Sequence, residues 1–262
     1  MRILCVGDVC GSVGCEFAAR VLPRLRRSEK IDITVINGEN SADGNGITPF
    51  SARSLFSAGA DVITGGNHTL RRKEIYSALD ESPRLLRPHN LKAQYGTGYC
   101  LVDAGRALIA VLNLSGQAFM KEEAENPFSA ADALLERAKN DGAAITLLDF
   151  HAETTGEKRA LGFYLDGRIS AVFGTHTHVP TADLQRLPGG TEYITDIGMT
   201  GPEQSVLGVK KEIIIDRMKN GGTEKFVIEK GPCILCGCIF DIDCRSGKCT
   251  GSRQIILREG DL

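Results

Sequence analysis

The chain has 262 residues, 42% of them apolar, and sets 31 Lys+Arg against 33 Asp+Glu for a formal charge of -2. That balance excludes a global field drawing it to nucleic acid or to an anionic membrane, so any phosphate recognition has to be local. The length supports a large core and is read as one domain over residues 1–262. Nine cysteines, an odd number, and an N-terminal apolar stretch no longer than a buried strand (MRILCVGDVCG) point to a cytoplasmic protein with reduced thiols and no membrane span.

Short β-branched runs alternate with helix-like stretches, the pattern of a layered α/β protein. Strands are predicted at 2–8 (RILCVGD), 33–38 (ITVING), 61–66 (DVITGG), 107–114 (ALIAVLNL), 144–151 (AITLLDFH) and 169–176 (ISAVFGTH). Helices are predicted at 16–27, 49–59, 70–81 and 129–141; in the last, Ala131, Leu134, Leu135 and Ala138 recur at helical spacing. The tail adds EYITDIG (192–198), a helix around 210–219, and β-like stretches at 225–230, 233–243 and 253–259. No repeat or low-complexity tract interrupts the pattern.

Ligand-type residues collect where the apolar runs end: Asp8, then Glu39 and Asn40, Asn67 and His68, His151, and finally His176 and His178. Sites in α/β sheets form at the carboxyl ends of strands, and four of the five histidines occur there. One such residue alone reads as a turn or cap, but five groups with the same placement read as a site. Asp8, Glu39, Asn40, Asn67, His151, His176 and His178 form an O/N donor set suited to Mn, Fe or Zn rather than Ca alone. Seven donors are too many for one tetrahedral ion and suit two. In an extended segment His176 and His178 would point the same way, about 6.5–7 Å apart at Cα, so each could hold a different ion of a pair about 3.5–4 Å apart. Two divalent ions against two carboxylates leave positive charge, for which phosphate is the natural anion. Val9 stands where a dinucleotide fingerprint needs its second Gly, and neither a P-loop nor a GxSxG elbow is present.

Through GD (7–8), GEN (38–40), GNH (66–68) and GTHTH (174–178) the chain resembles the calcineurin-like metallophosphoesterases. Within them it is similar to the YmdB-type 2',3'-cyclic-nucleotide 2'-phosphodiesterase family, over stretches as long as INGENSADGNGIT, GADVITGGNHT, DFHAETTGEKRALGFYLDGR and SAVFGTHTHVPTAD. The resemblance implies a four-layer α/β/β/α sandwich of two mixed sheets, and a metal-dependent phosphoric diester hydrolase with two transition-metal ions, iron first and Mn or Zn as alternatives. It assigns Asp8, Asn40 and His178 to one ion, Asn67, His151 and His176 to the other, Glu39 to both, and the general acid to His68. The substrate implied is a 2',3'-cyclic nucleotide, opened to a 3'-nucleotide by in-line attack of a hydroxide shared by the ions. The other readings are a broader phosphodiesterase or phosphomonoesterase, or a non-catalytic regulatory protein on the same fold. No stable nucleic-acid partner is expected, and a homo-oligomer is left open.

Three local expectations accompany this. Asp8 is followed by Val9 and Cys10 rather than x-His, and the bridge is Glu39 rather than Asp, both as in the YmdB-type group; at 69–71, Thr-Leu-Arg replaces the Thr-Trp-Asp that the resemblance implies. TTGEKRALG and GMTGP are read as walls of the site, with Lys158 or Arg159 either meeting phosphate or lying in a solvated loop, and Gly198 and Gly201 allowing close backbone approach. CILCGCIFDIDCRSGKC (233–249) is read as strand with reduced thiols rather than a zinc cluster, and His89 as a turn residue after Pro88.

Overall fold

The computed structural model describes residues 1–43 and 45–261. In chain order its elements are β1 (Arg2–Val6), β2 (Asp8–Val9), α1 (Gly11–Ser28), β3 (Ile33–Asn37), α2 (Pro49–Ala58) and β4 (Val62–Thr64), then α3 (Tyr76–Glu81), β5 (Tyr99–Asp103), β6 (Leu108–Ser115), α4 (Pro127–Asn140) and β7 (Ile145–His151). These are followed by α5 (Thr155–Tyr164), β8 (Ala171–Thr175), β9 (Gln185–Arg186), β10 (Glu192–Ile194), β11 (Met199–Pro202), α6 (Lys211–Asn220), β12 (Cys233–Ile242) and β13 (Cys249–Arg258).

The strands form two mixed sheets. One runs β2-β11-β12-β1-β3-β4 with β13 on the other edge of β12, and the second runs β5-β6-β7-β8-β10-β9. Alternation along each strand builds the layers. Ile3 and Cys5 of β1 meet Val111, Leu147 and Phe173 of the other sheet between the two, while Leu4 and Val6 turn outward to pack with Phe17, Leu22 and Leu55 of α1 and α2. On the far side Ala110, Leu112, Leu148 and Phe150 cover Leu134, Ala138 and Leu161 of α4 and α5. The result is the α/β/β/α sandwich.

Local chemistry accounts for several boundaries. α2 starts in a capping box between Thr48 and Ser51 with Pro49 behind it and stops at Gly59 in the left-handed conformation, as cap preferences dictate. The predicted 2–8 strand breaks at Gly7. A Cβ there would lie 1.9 Å from the Gly198 carbonyl oxygen, and the chain crosses so that Asp8 pairs with Met199 of β11. α1 begins at Gly11, earlier than residue 16. The predicted helix at 70–81 opens as two 3-10 turns before α3, and 225–230 is no strand, contributing an isolated pairing of Ile228 with Val209.

In the cysteine-rich tail, Cys233, Cys236 and Cys238 lie on β12 and Cys249 opens β13, all four buried and all nine cysteines unbridged. Among the described residues no helix is long and apolar enough to cross a membrane.

Candidate metal centre

Parallel register brings the strand ends together. β6, β7 and β8 run side by side with Ser115 opposite His151 and His151 opposite Thr175, while β3 and β4 set Asn37 beside Thr64 in the facing sheet. Each polar residue just past these positions therefore enters one cleft between the sheets.

Glu39 is the hub. Its Oε1 lies 3.2 Å from His151 Nε2, accepts from Asn40 Nδ2 at 3.0 Å, and is 3.6 Å from His68 Nδ1; its Oε2 accepts from the His68 backbone N–H at 3.0 Å. On one side His151 Nε2 meets Asn67 Oδ1 at 3.1 Å and His176 Nδ1 at 3.0 Å. On the other, His178 Nε2 lies 3.7 Å from Asp8 Oδ1 and 3.3 Å from Asn40 Nδ2. Two donor groups thus share one carboxylate oxygen. Glu39, His151 and His176 alone offer three ligand atoms within 4.8 Å of one another.

Each of the three histidines has its outer nitrogen occupied. His151 Nδ1 sits 2.9 Å from Thr175 Oγ1, whose hydroxyl donates to Asp149 Oδ1 at 2.6 Å. His176 Nε2 lies 2.9 Å from Glu153 Oε2. His178 Nδ1 is 3.1 Å from the Leu207 carbonyl and 3.6 Å from Cys10 Sγ, so the thiol at the position that departs from Asp-x-His backs this ring. Anchoring one ring nitrogen on an acceptor selects the tautomer whose other nitrogen presents a lone pair to the cleft, the usual way metal-ligating histidines are held.

The charge balance asks for a cation. Asp8 Oδ1 is buried without a hydrogen-bond partner, a costly state for a carboxylate oxygen. Burial raises the pKa of Asp8 against the pull of His178 and His151. Burial also works against the Glu39 carboxylate, yet His151 and His68 hold it below the usual range. Burial likewise disfavours the His178 cation, but Cys10 and Asp8 raise it to about 10, whereas burial and His151 push His176 down to about 3. A buried cluster that draws protons onto imidazoles beside two carboxylates will draw divalent ions by the same charge, with those protons displaced. The space also fits: a Cβ on Gly66 would stand 2.1 Å from Glu39 Oε2 and 2.3 Å from His151 Nε2.

Several expectations need correction. His176 and His178 are not on an extended segment: β8 stops at Thr175, and the two residues have φ of 97° and 66°. The kink is held from behind. Thr177 donates from N and Oγ1 to Asp196 Oδ2 at 3.2 and 2.8 Å, and the His176 N–H donates to Asp8 Oδ2 at 3.2 Å. Lys158 does not face a phosphate. TTGEKRALG is mostly the helix α5, capped by Thr154 accepting from the Glu157 N–H, and Lys158, 1% exposed, donates to Asp196 Oδ2 at 2.8 Å and to the Thr175 carbonyl at 2.7 Å. Arg159 lies instead 3.7 Å from Asp183. Gly198 and Gly201 serve internal packing, since Cβ atoms there would crowd Cys236 and Cys10 respectively. Leu70 packs on the core under the first sheet. Arg71 donates to Glu122 Oε1 at 3.2 Å, and Glu122 Oε2 accepts from Asn67 Nδ2 at 3.0 Å.

Asp149, Asp196 and Glu122 are therefore supporting residues absent from the sequence-derived set, and Lys158, expected at a phosphate or in a solvated loop, joins them as a buried support. Asp196 had a signature near that of Asp8, a carboxylate just past a buried strand with Gly198 two residues on, and Asp149 was a charge inside a buried strand. Lys158→Met is expected to destabilise the protein by about 3–5 kcal/mol, because it leaves the buried Asp196 without its cation. Urea unfolding measures this, and a loss under about 1 kcal/mol would show that the pair is not what holds the kink.

A family model described as YmdB-like protein matches residues 4–255. The chain is 45% identical over 263 residues to a Bacillus subtilis (strain 168) protein named 2',3'-cyclic-nucleotide 2'-phosphodiesterase, covering 100% of this chain and 99% of that one. A crystal structure of a hypothetical protein from Thermus thermophilus superposes with a TM-score of 0.91 at 38% identity, over 98% of this chain and 99% of the other. A Mycoplasma pneumoniae protein described as a novel phosphatase superposes with a TM-score of 0.92 at 33% identity, over 98% and 93%.

Proposed function

The chain belongs to the YmdB-like protein family, and on that footing we propose that it hydrolyses 2',3'-cyclic nucleotides to 3'-nucleotides at a pair of transition-metal ions. The observation that carries this reading is the double donor set around Glu39, with the partnerless buried oxygen of Asp8 in it. Asp8, Asn40 and His178 would hold one ion, Asn67, His151 and His176 the other, and Glu39 both. When bound, such ions polarise the phosphoryl group and bring the ionisation of water near neutral pH. Iron is the proposed native metal, although Mn or Zn suits the same O/N donors.

The chain's own contribution at the leaving group falls to His68. Its Nδ1 is 2.8 Å from Asn40 Oδ1, so Nδ1–H donates there and Nε2–H is left to protonate the departing ribose 2'-oxygen. Burial holds the His68 imidazole below its usual range, and Glu39 Oε1, 3.6 Å from Nδ1, works against that in favour of the doubly protonated ring that this requires. Unbridged cysteines throughout fit a reducing compartment, so the reading includes a single catalytic domain at work in the cytoplasm.

Anaerobically purified protein is expected to carry two metal ions per chain and to release 3'-AMP from 2',3'-cyclic AMP, while sparing 3',5'-cyclic AMP and a simple monoester. Release of 2'-AMP would sink the assignment of the leaving oxygen. Equal turnover of the monoester would establish the broader esterase instead.

A further inference from the structure

Phe119 is 90% exposed and has φ 60°. It is the third residue of the turn Gln117 to Met120, closed by the Met120 N–H donating to the Gln117 carbonyl at 3.3 Å. A left-handed third position is where glycine belongs in such a turn, and a bulky aromatic is held there against a steric penalty. At that exposure the ring gains nothing from core packing to offset it. Strain retained without a packing return points to function.

The loop is tied to the metal centre on both sides of the ring. The Gly116 N–H donates to the His151 carbonyl at 2.9 Å, and the Gln117 and Ala118 N–H groups donate to the two oxygens of Glu157 at 2.9 and 3.2 Å. Three residues beyond Phe119, Glu122 accepts from Asn67 at 3.0 Å. Three residues span at most about 11 Å, so the Phe119 backbone lies within that reach of both Gly116 and Glu122, the two points where the loop is bonded to His151 and Asn67.

We infer that Phe119 is the stacking face for the base of the nucleotide whose phosphate occupies the metal centre, an inference that rests on the function proposed above. A solvent-facing ring on a loop bonded to the metal centre at both ends matches a planar base joined through ribose. Stacking tolerates any base, so it selects nucleotides over simple phosphodiesters without reading sequence.

The test compares metal-loaded wild type, Phe119→Gly and Phe119→Trp, using Kd for 3'-AMP and for base-free ribose 3-phosphate, Tm, and steady-state turnover of 2',3'-cyclic AMP. Phe119→Gly is expected to weaken 3'-AMP about 10- to 100-fold, leave ribose 3-phosphate unchanged, and raise KM rather than lower kcat. Its Tm should rise, because glycine relieves the left-handed turn, and Phe119→Trp should retain nucleotide affinity. Unchanged 3'-AMP binding in Phe119→Gly, an equal loss for the base-free ligand, or no base-dependent gain in the wild type each overturns the inference. So does a fall in Tm accompanied by a change of oligomeric state, which would make the ring an interface contact. If 2',3'-cyclic AMP is not turned over but 3'-AMP binding still depends on Phe119, the stacking face stands and only the proposed reaction falls.

Discussion

Glu39→Gln is expected to weaken metal binding at least about 100-fold, beyond what loss of an outer supporting group costs, and to lower kcat/KM for 2',3'-cyclic AMP by at least about 1,000-fold. The reason is charge rather than shape. Glu39 is fully buried, and the amide keeps its volume and can still accept the His68 N–H that now reaches Oε2. What disappears is one of two negative charges in the cleft, at the oxygen shared by the His151 and Asn40 sides. The remaining imidazoles and amides are neutral when ligating, so Asp8 alone would face both ions. Metal analysis after gel filtration, with circular dichroism to confirm the fold, measures the effect. Full metal occupancy in the variant would remove Glu39 from the shared position.

His68→Ala should have the opposite pattern, keeping metal at the wild-type level while losing about two to four orders of magnitude in kcat. The variant retains the backbone N–H to Glu39 and loses the ring whose Nδ1 rests on Asn40. A second substrate sharpens the test. A p-nitrophenyl phosphodiester departs as a stable phenolate and needs little protonation, so its loss should be at least about tenfold smaller than for the ribose leaving group. Equal losses on both substrates would show that His68 positions the phosphate instead of supplying the proton. Loss of metal would place it among the ligands.

The donor set was legible because each member closes an apolar run. Asp8, Glu39, Asn40, Asn67, His68, His151, His176 and His178 all arrive in one cleft because they stand at or just past the carboxyl ends of the parallel strands β1, β3 and β4 of one sheet and β7 and β8 of the other. Element identity was legible for the same reason of pattern: buried β-branched strands and capped helices such as α2 declare themselves locally. The errors lie where local pattern carries no information. α5 looked like a polar loop because its buried residues, Lys158, Leu161 and Gly162, include a lysine, and nothing in TTGEKRALG announces that Asp196 waits beneath it. GTHTH looked extended because a β-run leads into it, whereas the kink at both histidines is imposed by hydrogen bonds that its backbone N–H groups donate to Asp8 and Asp196, distant in the chain.

Sequence by itself determined which atoms are available: two carboxylates, two amides, three imidazoles and a further histidine, set at strand ends by hydrophobic periodicity that depends only on near neighbours. Tertiary structure alone decided how they face one another. The left-handed backbone at His176 and His178, the acceptors behind each ring and the approach of His151 to Glu39 come from contacts between residues about twenty to more than a hundred positions apart. Their energies come from burial and pairing across the two sheets, which a linear pattern does not contain.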